Sequence, residues 1–236
     1  MIIALAGFTT GTTTVLFGFG GGFVVVPFVY QLLVRQPPLA SDAMHIAVAT
    51  STAVMIFNAG WVSFQNWRAG RLSLPILFPL LWFIAVGAVA GSWLAGILSE
   101  VLIRELFIFY MLITIGDCLL RKDFFSGNAP RRLSLLTVTG GGMLIGTIAA
   151  LLGVGGSVMT VPLLRRHGHT MRECISAANP LSLPVALCGA VTYAISGWHK
   201  ISAGGFVGFI SLKILGLLLV AGWAGIVFSR RVIPAV

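Results

Sequence analysis

Acidic residues are almost missing from this chain. Six Asp and Glu stand against fifteen Lys and Arg in 236 residues, and charged residues of both signs make up only 9%. A soluble domain carries about 25%, so this shortage of charge excludes that class. With a hydrophobic content of 58%, it indicates an all-α, polytopic membrane protein. Cysteine is scarce as well. Cys118, Cys174 and Cys188 lie in or beside apolar runs with no CxxC or His-rich spacing, which excludes a disulfide framework and a thiolate metal site. No Ser–His–Asp grouping, HExxH or P-loop pattern occurs, so neither hydrolysis nor ATP drive is indicated. The expectation is no enzyme, no cofactor and no metal. Nor does any Lys or Arg precede Arg35, so a signal peptide with a basic leading region is not expected and the N-terminus is read as part of the mature protein.

The net charge of +9 sits between apolar runs and not on a basic face. Lys and Arg in such places fix loops on the cytoplasmic side of a membrane, so the lipid bilayer is the expected partner and nucleic acid is not. A homo-oligomer is compatible with this composition.

What the chain has in abundance is apolar sequence, in segments at about 1–34, 43–66, 73–97, 101–120, 133–164, 173–197 and 201–228. A spanning helix needs roughly 20 residues, which suits five of them. The first and fifth are too long for one crossing, since about 34 helical residues would reach some 50 Å. Both contain a glycine cluster. Gly18-Phe19-Gly20-Gly21-Gly22-Phe23-Val24-Val25-Val26-Pro27 returns as Gly153-Val154-Gly155-Gly156-Ser157-Val158-Met159-Thr160-Val161-Pro162, at an offset of 135 residues. Each over-long segment is therefore predicted to be two shorter pieces with a break between them.

The repeat extends beyond the motif. An offset of 129 places Ala49-Thr50-Ser51 on Ala178-Asn179-Pro180, Gly60 on Gly189, and Gly87 and Gly96 on Gly216 and Gly225. The reading is one transporter-like domain over 1–236, with repeat one at 1–122 and repeat two at 133–236. Each repeat is a broken segment followed by three helices. The counterpart of 101–120 would fall at about 230–249, so the second repeat reads as C-terminally incomplete, and truncation is the preferred explanation.

Charge tests the breaks. Single crossings by the two broken segments would leave seven basic residues on each side; hairpins that return to their own side leave eleven against three. The second is the asymmetry expected of cytoplasmic loops. It puts the N-terminus outside and Arg230–Arg231 in the cytoplasm, with the two halves inverted relative to each other as in many transporters.

Glycine lets backbone leave a helix and exposes N–H groups, and non-helical backbone at membrane depth must be buried in protein or line a wet cavity. Helix starts near Gly20, Gly21, Gly22 and Phe23, and near Gly155, Gly156, Ser157 and Val158, would aim positive dipole ends at a small anion. Close helix packing is the alternative use of such glycines. Thr50 and Ser51 in the second segment, and Asn179 and Ser182 in the sixth, are candidate donors, although Ser and Thr in helices often bond their own i−4 carbonyl. Pro180 removes a backbone donor and should distort the helix there. His45 can cap a helix or handle a proton. Asp117 is an intramembrane acid that could instead pair with Arg121, and Lys213, read as midway along the last segment, is a counter-charge or a snorkelling side chain.

GxGGG followed by Val-Pro, then Ala-x-Ala-Thr-Ser about two dozen residues on, with the glycine motif in both halves, resembles the TauE/SafE family of membrane sulfite exporters. The resemblance covers Gly18–Pro27, Ala47–Ser51, Gly87–Gly96, Gly153–Pro162 and Gly216–Arg231. It implies a secondary transporter or permease for sulfite, a sulfonate or a related organosulfur anion in a bacterial inner membrane, working by alternating access. Ser157 replaces the third glycine of the second copy, and Asn179-Pro180 stands where the first half has Thr50-Ser51. An anion channel on the same scaffold and a non-transporting membrane partner subunit are the other readings.

Overall fold

The computed structural model describes residues 2–18, 21–72, 74–120, 134–198 and 205–232. Its helices are α1 (Ile2–Phe17), α2 (Gly22–Leu33), α3 (Ala43–Arg68), α4 (Leu74–Ile97), α5 (Glu100–Leu120), α6 (Gly142–Leu152), α7 (Ser157–Arg166), α8 (Met171–Gly197) and α9 (Leu212–Val232). A π-helical turn, Thr137–Gly141, leads into α6, and a two-stranded hairpin of β1 (Phe206–Val207) and β2 (Ile210–Ser211) precedes α9. Both over-long segments are broken at their glycines. At 1.5 Å per residue the 16 residues of α1 and 12 of α2 each fall short of a hydrocarbon core of about 30 Å.

Among the described residues, four helices are long and apolar enough to cross a membrane: those within Ala40–Arg68, Leu77–Ile97, Met171–Gly197 and Leu212–Val232. The two more apolar of these are the less buried. The α4 and α9 windows are 39% and 28% buried, against 78% and 67% for α3 and α8. Lipid accepts apolar side chains as readily as a protein core does, so the spans richer in Ser, Thr and Asn go inside. Phe78, Trp82, Val86, Val89 and Trp93 form a stripe at helical spacing on α4 and are all exposed. That stripe is a lipid face. This is a multi-pass membrane protein.

Glycines set how the helices meet. A methyl group at Gly87 would overlap the Met143 carbonyl, one at Gly91 that of Thr147, and one at Gly146 that of Ile84. The α4 and α6 backbones therefore touch, running parallel, and Thr147 Oγ1 adds a 3.1 Å bond to the Gly87 carbonyl. The α1–α9 pair is built the same way: Gly7 lies on Leu218 and Ala221, Gly11 on Gly222, and Gly225 on Phe8. Close backbone approach of this kind is what holds membrane helices together when lipid removes the hydrophobic drive. At the centre α3 and α8 cross antiparallel, with Gly60 beside Leu183 and Gly189 beside Thr52.

These contacts revise the repeat register. Phe8 and Met143 are equivalent at the offset of 135, and each receives a glycine: Gly225 on the first, Gly87 on the second. By these contacts Gly87 corresponds to Gly225, 138 residues later, and not to Gly216, where an added methyl group would meet nothing within 4 Å. The cause is the connection 198–211, fourteen residues long, against five residues at 69–73 between α3 and α4. The extra length contains the hairpin, so the last helix begins at Leu212 and not near 201. The expected distortion at Pro180 is also milder than anticipated, since α8 runs without interruption through Pro180 and Pro184.

Gly87→Ala and Gly225→Ala should each destabilise the protein by about 1–3 kcal/mol, the usual range for overpacking, and Gly216→Ala should leave stability equal or slightly raised. Thermal unfolding in detergent, followed by size-exclusion fluorescence, checks this. Equal damage from all three would restore the shorter register.

Candidate functional site

The first break begins where α1 ends. Gly18 has φ 73° and Gly21 φ 92°, backbone that glycine adopts without penalty. Gly21 then lies back alongside α1, where a methyl group would overlap Thr10 Cγ2. Thr10 is seven residues before the end of α1, so the chain has reversed direction. The second break repeats this, with Gly153 at φ 65° and Gly155 at φ 75°. Gly156 returns to Ile145, the residue equivalent to Thr10 at the offset of 135. Both breaks are hairpins.

The two hairpins meet. Gly22, the first residue of α2, packs on the Gly153 carbonyl and Val154. Ser51 Oγ donates a 2.8 Å hydrogen bond to that same carbonyl, in a fully buried setting. Val24 and Met159 make the first turn bonds of α2 and α7, back to Gly21 and Gly156. The N–H groups of Gly22, Ser157 and Val158 precede those bonds, and a glycine cap has no side chain to accept them. Two helix starts therefore lie close together where the breaks meet. Gly20 lies outside the described residues. Phe23 is half-buried beside Gly22, and Gly155 and Val158 are buried.

The candidate side chains divide into two groups. Asn179 sits at 0% exposure with only a long, 3.5 Å contact from Nδ2 to the Thr14 carbonyl, and its Oδ1 has no partner. Ser157 Oγ is buried at the start of α7 and is likewise unpartnered. Thr160 Oγ1, on the same helix, is a third such atom, and nothing in the sequence pattern singles it out. A buried polar atom without a partner costs about 1–3 kcal/mol, and three close to two helix starts make a site short of hydrogen bonds. Ser182, by contrast, bonds the Ala178 carbonyl at 2.9 Å, the local back-bond that serves its own helix. Thr50 Oγ1 accepts from Ser211 N–H at 3.2 Å and so ties α3 to the hairpin. That bond serves the scaffold.

The three charged candidates lie elsewhere. Lys213 is the second residue of α9 and exposed, because the helix starts eleven residues later than expected; it does not lie midway along the last helix. Asp117 is half-buried in the last turns of α5. His45 Nδ1 lies 3.0 Å from Glu100 Oε2, and the other Glu100 oxygen accepts from Met44 N–H. The His45 ring stacks on Phe209 of the hairpin at 5.3 Å, with Tyr193 edge-on at 6.3 Å. An acid–base pair thus sits at one end of α3 under an aromatic cover.

A cavity of about 170 Å³ opens at the opposite end of α3. Val15, Val62 and Ile175 form its apolar wall, and Asn66, Arg172, Ser176 and Arg230 its polar one. Ile175 also packs on Gly18, so the cavity adjoins the first break.

Residues 3–236 match the family described as "Sulfite exporter TauE/SafE". A protein of Haemophilus influenzae named "Probable membrane transporter protein" is 27% identical over 208 residues, covering 84% of this chain and 73% of its own length. One from Methanocaldococcus jannaschii, also named a probable membrane transporter protein, is 20% identical over 247 residues, covering 99% of this chain and 87% of its own. No solved structure matches.

Gly21→Ala should destabilise the first hairpin twice over. A side chain at φ 92° is strained by about 1–2 kcal/mol, and the new methyl group meets Thr10 Cγ2. The double variant with Thr10→Ser, which deletes that methyl, should recover part of the loss and leave the backbone strain. Unfolding midpoints for the two variants test it, and no recovery would show that Gly21 does not lie against Thr10.

Proposed function

The chain belongs to the sulfite exporter TauE/SafE family, and on that footing we propose that it is a secondary transporter of a small oxyanion, bound between the two glycine breaks. The supporting observation is the meeting of Gly22 with Gly153 amid the unpartnered polar atoms of Asn179, Ser157 and Thr160. Two helix starts capped by glycine supply N–H donors and positive dipole ends, which suit an anion without a buried lysine. Ser51 holds the Gly153 carbonyl and with it the shape of the second break. Sulfite or a sulfonate is the cargo that family membership favours. Transport and not catalysis is the activity.

The two halves act as inverted repeats. Support comes from the central pair α3 and α8, equivalent in the repeat yet antiparallel, and from the matched contacts α1 on α9 and α6 on α4. A two-fold axis perpendicular to these helices lies in the membrane plane. Rocking of one half on the other about the breaks would expose the site alternately to each side. Arg68, Arg71, Arg165, Arg166, Arg172, Arg230 and Arg231 gather toward the cavity end, and Arg35, Arg104 and Lys213 toward the hairpin end. The positive-inside rule then makes the cavity end cytoplasmic, in a bacterial inner membrane. Arg121, Lys122, Arg131, Arg132 and Lys200 lie outside the described residues. Of the three charged candidates, His45 paired with Glu100 has surroundings suited to a coupled proton.

Asn179→Leu separates function from stability. Replacing a buried, half-satisfied amide by an apolar group of similar size should leave thermal stability equal or higher. Uptake of sulfite into proteoliposomes should fall at least about tenfold, the value of one lost hydrogen bond to a charged group. Unchanged uptake in this variant and in Ser157→Ala would place the anion elsewhere.

A further inference from the structure

The groove between the antiparallel helices α3 and α8 has two ends, and they are treated differently. At one end it is filled: the hairpin inserts Phe209 beside His45, Gly208 against Ala194, and Ser211 against Thr50. Phe209 N–H donates to the Tyr193 carbonyl at 3.3 Å, and Phe209, Ile210 and Ser211 are all buried. At the other end the α3–α4 connection is nine residues shorter, and its described residues supply no such plug. The corresponding groove, between Val62–Asn66 of α3 and Arg172–Ser176 of α8, is the cavity of about 170 Å³.

Among the described residues its charged lining is basic. Arg172 and Arg230 line it, and Arg71 lies close enough to Arg230 to repel it. No carboxylate is among the described lining residues. The nearest acid in sequence, Glu173, is occupied in a capping box, where its side chain accepts from Thr170 N–H and Thr170 Oγ1 accepts from Glu173 N–H. Arg230 Nε is buried and has no acceptor. A guanidinium donor out of water and without a partner is a costly arrangement that an oxyanion would relieve, because charge-assisted bonds from Arg to such oxygens are among the strongest available. The cavity also leads somewhere. Arg172, Ser176 and Asn179 follow one another at i, i+4 and i+7 along α8, a single helix face that ends on the amide beside the first break.

We propose that this cavity is a second anion station, in which Arg230 and Arg172 hold a small soluble oxyanion at the mouth before it passes Ser176 to Asn179. The station rests on the reading of the chain as an anion transporter, and adds to it a binding site at the unplugged end. It also assigns the asymmetry of the connections a purpose: the hairpin closes one mouth, and no described residue fills the other in the same way.

The test reads the mouth directly. Ser176→Cys is placed in protein whose Cys118, Cys174 and Cys188 are replaced by alanine, reconstituted in nanodiscs of phosphatidylcholine. It is treated with the anionic sulfonatoethyl and the cationic trimethylammonioethyl methanethiosulfonates. The anionic reagent should react faster, and added methanesulfonate or inorganic phosphate should slow it. Arg230→Gln should weaken that protection about tenfold, the loss of one charge-assisted bond, and Arg230→Lys, which keeps the charge, should retain the preference for the anionic reagent. Equal or faster reaction of the cationic reagent overturns the proposal, as does Arg230→Gln without effect. Protection by phosphatidylglycerol nanodiscs but by no soluble anion assigns the cavity to a lipid headgroup and also overturns it. Failure of both Ser176→Cys and Val62→Cys to react means that the cavity is closed to solution, which overturns it too. Loss of the charge preference with sulfite uptake intact removes the station alone. Protection that persists in a protein moving no sulfite removes the assigned cargo and keeps the station.

Discussion

Backbone that leaves the helix inside a membrane must be covered by protein, and this single requirement organises the molecule. The two glycine hairpins carry N–H and C=O groups that lipid cannot satisfy. They are placed against each other, Gly22 on Gly153, so that each covers part of the other. The remaining cover comes from α3 and α8. Ser51 bonds the Gly153 carbonyl, Val48 packs on Gly153, and Ala178 packs on Gly18. A helix that must meet broken backbone is better built with Ser, Thr and Asn than with Leu alone. The more polar spans therefore occupy the centre, and the Trp- and Leu-rich α4 and α9 face lipid.

Close approach follows from the same constraint. Short helices such as α1 and α6 have little surface, and lipid offers no hydrophobic reward for pairing them. Gly7 and Gly11 let α1 lie directly on α9, and Gly142 and Gly146 let α6 lie on α4. The threonines of α1 do not interrupt this packing, since Thr9, Thr10, Thr12, Thr13 and Thr14 all return their hydroxyls to carbonyls of the same helix. What the glycines permit, the threonines leave undisturbed.

The breaks and the five long helices are legible in the sequence. Segment length against bilayer thickness indicates the first, and hydropathy the second. The register of the last helix is not. Pairing Gly87 with Gly216 follows from glycine identity and from carrying the α3–α8 spacing forward, and the inserted hairpin shifts the true partner to Gly225. Two residues of Phe-Val and two of Ile-Ser, joined by Gly208-Phe209, read as apolar sequence and not as strands. The same shift moves Lys213 from mid-span to a helix start. Thr160 is inconspicuous because a lone threonine in a helix ordinarily bonds its own i−4 carbonyl; only the folded chain shows that this one does not.

The amino-acid sequence by itself determined that the chain enters a membrane, that two of its segments break at glycine, and that the breaks recur. Those properties follow from local composition and length, which the bilayer reads directly. Tertiary structure decided which polar side chains are bonded within the scaffold and which keep an unpartnered atom. Thr50 and Asn179 are equivalent by repeat, yet one is held by Ser211 and the other keeps an unpartnered oxygen. Tertiary structure also decided that one end of the α3–α8 groove is filled by Phe209 and the other opens between Arg172 and Arg230. That difference depends on where a connection of fourteen residues packs, and only contacts distant in sequence settle it.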